Sequence, residues 1–214
     1  NGFVRDDYPF IVHNPRMHSL DHVPAYFVRS FFPEGPRGRT GSYYRPVVIA
    51  TYALDYALGG GAPWAFHLTN IILFCGCTVM VYVVCASVMP SRLGAALGGL
   101  LFACHPLHTE AVAWISGRTD VMAVLFGCLA FVLFLRAERQ TGTRGRLAWA
   151  GWGALALFAG LLCKEVALAI IAIYGVWWLL QPGSGQQERA ARRGWTVPAL
   201  SAGAVAAYVV VRTA

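Results

Sequence analysis

The chain has 214 residues, of which 57% are hydrophobic and 13% are charged, and its formal net charge is +7. Soluble domains carry about 45–50% apolar and about 25% charged residues, so the excess of apolar side chains here must face lipid. The positive charge does not indicate a nucleic-acid-binding protein, because the arginines are concentrated in alternate connections between apolar segments.

The first 63 residues differ from the rest, since they are polar and rich in proline, histidine and aromatic residues. Within them, His22–Phe32 and Pro46–Leu58 have the apolar periodicity of short amphipathic helices that lie at a membrane interface. We therefore predict two regions. Residues 1–63 form a long extracytoplasmic first loop that carries an acidic motif, and residues 64–214 form a transmembrane helix bundle.

Six apolar segments follow, and the short ones reach spanning length by tilting or by extending into their polar flanks. They predict an all-α polytopic membrane protein. We expect the chain to be a fragment of a larger protein, because it starts on a polar segment and stops inside an apolar one. The segments are Trp64–Val88, Leu93–Ala103, Val121–Leu135, Leu147–Leu162, Val166–Leu180 and Val197–Val211.

Arginine is distributed unequally between the connections. Arg118 and Lys164 are the only cations in two of them, whereas the alternate connections are rich in arginine. This is the positive-inside pattern, which places the arginine-rich connections in the cytoplasm and residues 1–63 outside it. The arginine-rich connections contain Arg92, then Arg136, Arg139, Arg144 and Arg146, and then Arg189, Arg192 and Arg193.

This topology brings four polar segments to the extracytoplasmic face. They are Asp6-Asp7, Tyr43–Pro46, the stretch from His105–Glu110 to Gly117–Asp120, and Lys164-Glu165. Carboxylates, imidazoles and cations on one face suit chemistry on a substrate with an anionic head group, because cations bind phosphate and a carboxylate serves as a base.

Each polar group also has a purely structural interpretation. Asp6-Asp7 can be a solvated turn or a helix cap, Arg118 and Asp120 can form a local ion pair, and Lys164-Glu165 can be a structural intramembrane pair. His67 and Asn70 fit a hydrogen bond between helices better than a site.

A metal site is a further alternative for the third segment. His105, His108 and Glu110 resemble a set of metal ligands, but the intervening proline distorts the helical spacing, and such sets arise by chance.

Taken in order, these motifs resemble a known class. An Asp-Asp pair in the first outer loop, followed by many membrane helices, is similar to the C-type glycosyltransferases, which use polyprenyl-phosphate sugars. Within that class, the chain from about Phe3 to Ala169 resembles the transmembrane-and-tetratricopeptide-repeat O-mannosyltransferase family and its bacterial relatives. The motifs that carry the resemblance are Asp6-Asp7, Ile11–Pro15, Tyr44–Pro46, His105–Val112, Gly117–Asp120 and Lys164-Glu165.

The resemblance implies transfer of a sugar, mannose by analogy, from a polyprenyl-phosphate donor to a serine or threonine hydroxyl of a protein acceptor. It assigns the base to Asp6 or Asp7. The family's tetratricopeptide repeats are absent from this stretch. The enzyme would be an integral protein of the bacterial inner membrane or the endoplasmic reticulum membrane, with its active site on the extracytoplasmic or lumenal side.

Chemistry adds the remaining roles. The departing lipid phosphate needs cations, which Arg45, Arg118 and Lys164 can supply. No cofactor is required, because arginine and lysine can neutralise the phosphate, and a divalent metal is an alternative way to do so. The supporting polar residues are His105, His108, Glu110, Asp120 and Glu165.

Three other functions compete with this one. One is a lipid-linked saccharide ligase or a glycosyltransferase of the same fold with another donor, which the sequence barely separates from the mannosyltransferase. A membrane transporter would line a path with its charges, but transporters keep their sites near the bilayer midplane. A non-catalytic membrane scaffold would tolerate the loss of Asp6 and Asp7.

Overall fold

The computed structural model describes residues 2–28, 44–180 and 195–213. The N-terminal part consists of three short helical turns followed by a four-residue helix, α1. These elements are Tyr8–Val12, Pro15–His18, Leu20–His22 and α1, Val23–Tyr26. The helix predicted over His22–Phe32 is therefore present only as short pieces as far as residue 28, and its remainder and Tyr43 lie outside the described residues.

Helix α2 spans Pro46–Gly59 and confirms the second predicted short helix to within one residue. It begins at Pro46, whose fixed φ angle and missing N–H suit a first helical position. Gly60 follows its last residue and terminates the helix, with a φ of 60° in the left-handed region that glycine adopts without strain.

All six predicted apolar segments are helices. A short helix, α5, His108–Ala113, follows the second of them, and a helical turn, Ile115–Gly117, leads into the third. The six are α3, Pro63–Val88; α4, Arg92–Cys104; α6, Arg118–Glu138; α7, Thr143–Leu161; α8, Ala167–Leu180; and α9, Thr196–Thr213. Within the described ranges no strand is present, which confirms the all-α fold.

Three helical stretches are long and apolar enough to cross a membrane: Pro63–Val88, Ile115–Glu138 and Thr196–Thr213. Helices α4 and α8 are apolar but shorter. The chain is thus a membrane protein by composition and helix length, and the exact number of crossings stays a prediction.

Helix α6 is the centre of the bundle. In its most apolar window 61% of residues are buried inside the protein, against 6% in α3, so α6 packs against protein while α3 presents apolar side chains to lipid. Helices α3, α7 and α8 pack around α6, and α9 packs on α7. Gly153 lets α7 approach α6 closely, because a Cβ atom there would lie 2.5 Å from the ring of Phe134.

The short connections make successive helices from α3 to α8 antiparallel, so the starts of α3, α6 and α8 share one end of the bundle with the ends of α4 and α7. The end of α9 also lies there, because Arg212 pairs with Glu165 between α7 and α8. We call this the site end. The N-terminal segment, α2 and α5 also pack there, through contacts with α3 and with the Ile115–Gly117 turn. The described residues of the polar segments that the sequence predicts to converge belong to this end.

Candidate active site

A cavity of about 510 Å³ opens at the site end, a volume within the range of small-ligand sites. Six of the predicted site residues line it, together with apolar and hydroxyl side chains from the first helical turn, α5 and the start of α6. The six are Asp6, Arg45, His108, Glu110, Asp120 and Lys164; the other lining residues are Phe10, Leu107, Ala111, Trp114, Ser116, Gly117 and Thr119.

The two adjacent aspartates have different environments. Asp7 is fully buried, and its Oδ1 accepts hydrogen bonds from the backbone N–H of Ser116 at 3.0 Å and from the Ser116 hydroxyl at 2.5 Å. Its Oδ2 accepts one from the backbone N–H of Val4 at 3.0 Å. Since Ser116 lies at the start of the helical stretch that continues into α6, Asp7 caps that stretch and faces its positive end.

Asp6 instead is exposed and lines the cavity. Within the described part of the chain its carboxylate forms no hydrogen bond or ion pair. The preceding residue, Arg5, has a φ of 46° in the left-handed region, which is uncommon for a residue other than glycine. This turn lets Asp7 point into the protein while Asp6 faces the cavity.

Arg118 does not reach the cavity. It is fully buried and pairs with Asp55 on α2, with 2.5 Å between Nη2 and Oδ2. Its Nε donates to Asn70 Oδ1 at 2.6 Å, and its other two nitrogens donate to the Thr51 hydroxyl at 3.0 Å and to the Phe66 carbonyl at 2.8 Å. The guanidinium therefore joins α2, α3 and α6, and the alternative of a local ion pair with Asp120 is wrong.

Lys164 forms its ion pair with Asp120. Its Nζ lies 2.7 Å from both carboxylate oxygens, and the two side chains are 32% and 45% exposed. The pair joins the connection between α7 and α8 to the first turn of α6, at the wall of the cavity. Lys164 and Glu165 do not pair with each other, so that alternative is also wrong.

Glu165 points away from the cavity, towards α9. It pairs with Arg212 and accepts a hydrogen bond from the Tyr208 hydroxyl at 3.2 Å. Burial raises the pKa of Glu165, but hydrogen bonds from its own backbone N–H and from Tyr208, together with the charges of Arg212 and Arg45, outweigh that effect and leave the pKa below its usual value. Glu165 thus anchors the connection that carries Lys164.

The two histidines are adjacent at the start of α5. Their ring centroids are 5.6 Å apart, and the His108 ring also lies 4.2 Å from that of Phe102. Burial, and secondarily His105, lower the pKa of His108 below its usual value. His105 is exposed and does not line the cavity.

These histidines and Glu110 do not assemble as metal ligands. Within the described ranges, no group of three or more histidine, cysteine, aspartate or glutamate side chains is placed to hold a metal ion. We therefore assign no ligand set, and a divalent metal at the phosphate stays an alternative that only the sequence suggests.

Sequence reasoning missed the residues that hold the site in place. Asp55 is 2% exposed and also accepts a hydrogen bond from the Thr69 hydroxyl at 2.7 Å. Its signal was available, because it is the only charged residue in the apolar sequence of α2. Asn70 behaves as the sequence indicates: its amide donates to the carbonyls of Trp114 and Ile115 at 3.2 and 3.4 Å, across to the turn before α6.

Comparison with known proteins identifies the family. The sequence profile described as dolichyl-phosphate-mannose-protein mannosyltransferase matches residues 38–196, which is more than half of the chain. The chain belongs to this family. The match includes Arg45, the His105–Glu110 segment, Asp120 and Lys164, and it begins after Asp6-Asp7.

Named relatives of this mannosyltransferase family member include proteins of animals. The chain is 35% identical to protein O-mannosyl-transferase Tmtc2 of Drosophila melanogaster over 193 residues, which are 88% of this chain and 20% of that protein. It is 35% identical to Tmtc1 of the same organism over 85% of this chain and 21% of the relative. It is 31% identical to TMTC4 of Homo sapiens over 85% of this chain and 27% of the relative.

The chain thus spans about a fifth of the length of the first two relatives. The resemblance to the transmembrane-and-tetratricopeptide-repeat O-mannosyltransferases is confirmed for this part of them. No solved structure matches the chain.

Proposed function

We propose that this protein transfers mannose from a polyprenyl-phosphate donor to a serine or threonine hydroxyl of a protein acceptor, and that the cavity at the site end is where transfer takes place. The observation that carries the proposal is the pairing of groups in one cavity. An exposed carboxylate, Asp6, lines it together with two cations, Arg45 and Lys164. The family, and relatives named protein O-mannosyl-transferases, support the reaction class.

The reaction needs a base and a place for the charge of the leaving group. Asp6 accepts the proton of the acceptor hydroxyl, whose oxygen forms a bond to the anomeric carbon of the sugar while the bond from that carbon to the phosphate oxygen breaks. A single displacement of this kind inverts the anomeric configuration. The phosphate leaves on the lipid and gains a negative charge, which Arg45 and Lys164 stabilise.

The structure favours Asp6 over Asp7 as the base. Both Asp7 oxygens already accept hydrogen bonds inside the protein, and the side chain is fully buried. An acceptor hydroxyl can approach only the exposed Asp6. Asp7 therefore positions Asp6 by holding the N-terminal segment against the start of α6.

The other predicted site residues also divide into those that line the cavity and those that support the framework. Arg45 and Lys164 are the cations we retain for the donor phosphate, and His108 and Glu110 are the polar groups that can meet the sugar. Asp120 supports the site as the ion-pair partner of Lys164. Arg118 and Glu165 act on the framework, because both are engaged outside the cavity.

A transfer assay separates the two aspartates. In the complete protein in nanodiscs, with a polyprenyl-phosphate-mannose donor, we expect Asp6→Asn to reduce the transfer rate about 10²–10⁴-fold without lowering thermal stability. Asp7→Asn should lower stability and activity together, since its amide group cannot accept from both Val4 and Ser116. Asp21→Asn is the matched control, because Asp21 is exposed and, among the described residues, its side chain bonds only to Ser19.

Near-normal transfer by Asp6→Asn would exclude Asp6 as the base. Near-normal transfer by the double variant of Asp6 and Asp7 would instead favour a non-catalytic scaffold.

We also propose that the site end is extracytoplasmic or lumenal, in the bacterial inner membrane or the endoplasmic reticulum membrane. At the opposite end of the bundle, arginine predominates near the connections, with Arg92, Arg139 and Arg144 all exposed there. Single cysteines placed at Thr109 and at Arg144, in a background without the native cysteines, would be labelled by impermeant reagents from opposite sides. Labelling of the Arg144 position from outside would show that the proposed topology is inverted.

A further inference from the structure

The lysine proposed to hold the donor phosphate is already paired with a carboxylate. Lys164 Nζ lies 2.7 Å from both oxygens of Asp120, and both residues line the cavity. A phosphate that is to contact Lys164 directly must compete with Asp120 for the same ammonium group.

The exposure of this pair makes the competition feasible. Lys164 and Asp120 are 32% and 45% exposed, whereas the neighbouring pair of Arg118 and Asp55 is 0% and 3% exposed. Exposed ion pairs are weak, because water screens the charges and ordering two side chains costs entropy. The lysine side chain is also flexible, with a compact charge that can turn from one anion to another.

The charge of the phosphate changes during the proposed reaction. The donor is a phosphate diester with one negative charge, and the lipid product is a monoester whose second pKa is near 6, so it carries close to two. Three carboxylates, Asp6, Glu110 and Asp120, face two cations in the cavity. Cations that stabilise the leaving phosphate would also retain the product, and release of product limits the turnover of many enzymes.

We propose that Asp120 is a positioning residue that competes with the lipid phosphate for Lys164. Lys164 turns from Asp120 to the phosphate as negative charge develops on the leaving oxygen, and Asp120 takes Lys164 back when the lipid phosphate departs. The arrangement strengthens the contact to phosphate in the transition state while weakening the hold on the product. This inference rests on the proposed function, because it assumes that the phosphate of a lipid donor enters this cavity.

The parts of the structure around the pair fit this role. Asp120 is fixed in the first turn of α6, directly after the Ile115–Gly117 turn that Asp7 caps. The backbone that carries Lys164 is anchored by the neighbouring Glu165 through its ion pair with Arg212. Both backbones are therefore held, and only the lysine side chain needs to move.

The test measures binding of a short-chain polyprenyl phosphate to the complete protein in nanodiscs, without any transfer step. We expect Asp120→Asn to bind this product about threefold to tenfold more tightly than wild type, because the phosphate no longer competes for Lys164. We also expect both kcat and the KM for the donor to decrease, because release of the lipid phosphate product slows. Asp120→Glu should restore near-wild-type affinity, and Asp21→Asn, which removes one carboxylate outside the cavity, should have no effect.

A second background shows whether Asp120 acts through Lys164. In Lys164→Met protein, Asp120→Asn should no longer change the affinity for polyprenyl phosphate, since the shared partner is gone. If Asp120→Asn tightens binding equally in both backgrounds, the effect is general charge repulsion and the inference is wrong. If Asp120→Asn binds as wild type does or more weakly, while its thermal unfolding is unchanged, the inference is also wrong.

Failure of the proposed function would look different. If the wild-type protein bound no polyprenyl phosphate, the proposed donor site itself would be wrong. Should Asp120→Asn prove unstable, Asp120→Ser offers a second way to remove the charge, with a smaller polar side chain at the same position.

Discussion

The buried pair of Arg118 and Asp55 provides the sharpest test of how the site end is held together. Arg118→Met would leave the Asp55 carboxylate 2% exposed, with the Thr69 hydroxyl as its hydrogen-bonding partner. It would also remove the donors to Asn70 Oδ1 and the Phe66 carbonyl. Breaking a buried ion pair by removing one member costs about 3–5 kcal/mol, because the remaining charge is left without compensation. We expect a loss of that size in the free energy of unfolding.

Unfolding by SDS in mixed micelles would measure this loss. The double variant Arg118→Met/Asp55→Leu should recover most of it, since both charges leave together. Arg118→Lys should recover little, because a lysine cannot reproduce the guanidinium contacts with three helices. Arg139→Met is the matched control: Arg139 is exposed and donates to the Ser87 carbonyl, so we expect a change within about 0.5 kcal/mol.

The result that refutes this reasoning is an Arg118→Met protein as stable as wild type. If that stable variant also failed to bind polyprenyl phosphate, the sequence-based prediction that Arg118 holds the donor phosphate would be correct and the structural role wrong.

Two further predictions concern the wall of the cavity. Gly117→Ala should destabilise the protein by about 1–3 kcal/mol and reduce transfer, because the added Cβ would lie 2.9 Å from the backbone Cα and O of Ala111. Gly142→Ala is the control and should be nearly neutral, because the added Cβ would have no atom within 4 Å. Equal thermal stabilities of the two variants would contradict this prediction. The pKa of His108 is lower in the folded state than its ordinary value of 6.5, so the unfolded state takes up a proton first as the pH falls. The contribution of neutral His108 to the free energy of unfolding is therefore fully present above pH 6.5 and decreases as the pH drops below 6.5. His108→Gln should therefore flatten the decline in thermal stability between about pH 7.5 and about pH 5, and an unchanged decline would show that other groups cause it.

The sequence predicted the helices well because their formation is local. Inside a membrane each backbone polar group must be satisfied within its own helix, so an uninterrupted apolar stretch is sufficient evidence for one. The stretch Trp64–Val88 corresponds to α3 with a difference of one residue at its start, and Val166–Leu180 corresponds to α8 in the same way. The length of an apolar segment was weaker evidence that the segment crosses the membrane, since α4 and α8 are shorter than a typical span.

The convergence of polar segments at one end also followed from the sequence. Antiparallel neighbours with short connections place alternate connections on the same side, which brings Asp6, His108, Glu110 and Lys164 to one cavity. The family resemblance was likewise readable from the order of these motifs, and the profile match confirms it.

The roles of neighbouring residues depended on the tertiary structure. Asp6 and Asp7 are adjacent and chemically identical, and the tertiary contact of Asp7 with Ser116, 109 positions away, holds one inward while the other lines the cavity. Lys164 and Glu165 separate for the same reason, one towards α6 and the other towards α9.

What the sequence by itself determined, then, is the set of helices, the end at which the polar residues meet and the family. What only the tertiary structure decided is the direction of each charged side chain. Arg118 shows why: a charge buried in an apolar bundle is stable only beside a compensating charge, and that charge, Asp55, comes from a helix 63 positions earlier in the chain. Apolar periodicity reports whether a segment is buried, but the partner of a buried charge is set by which helices pack together.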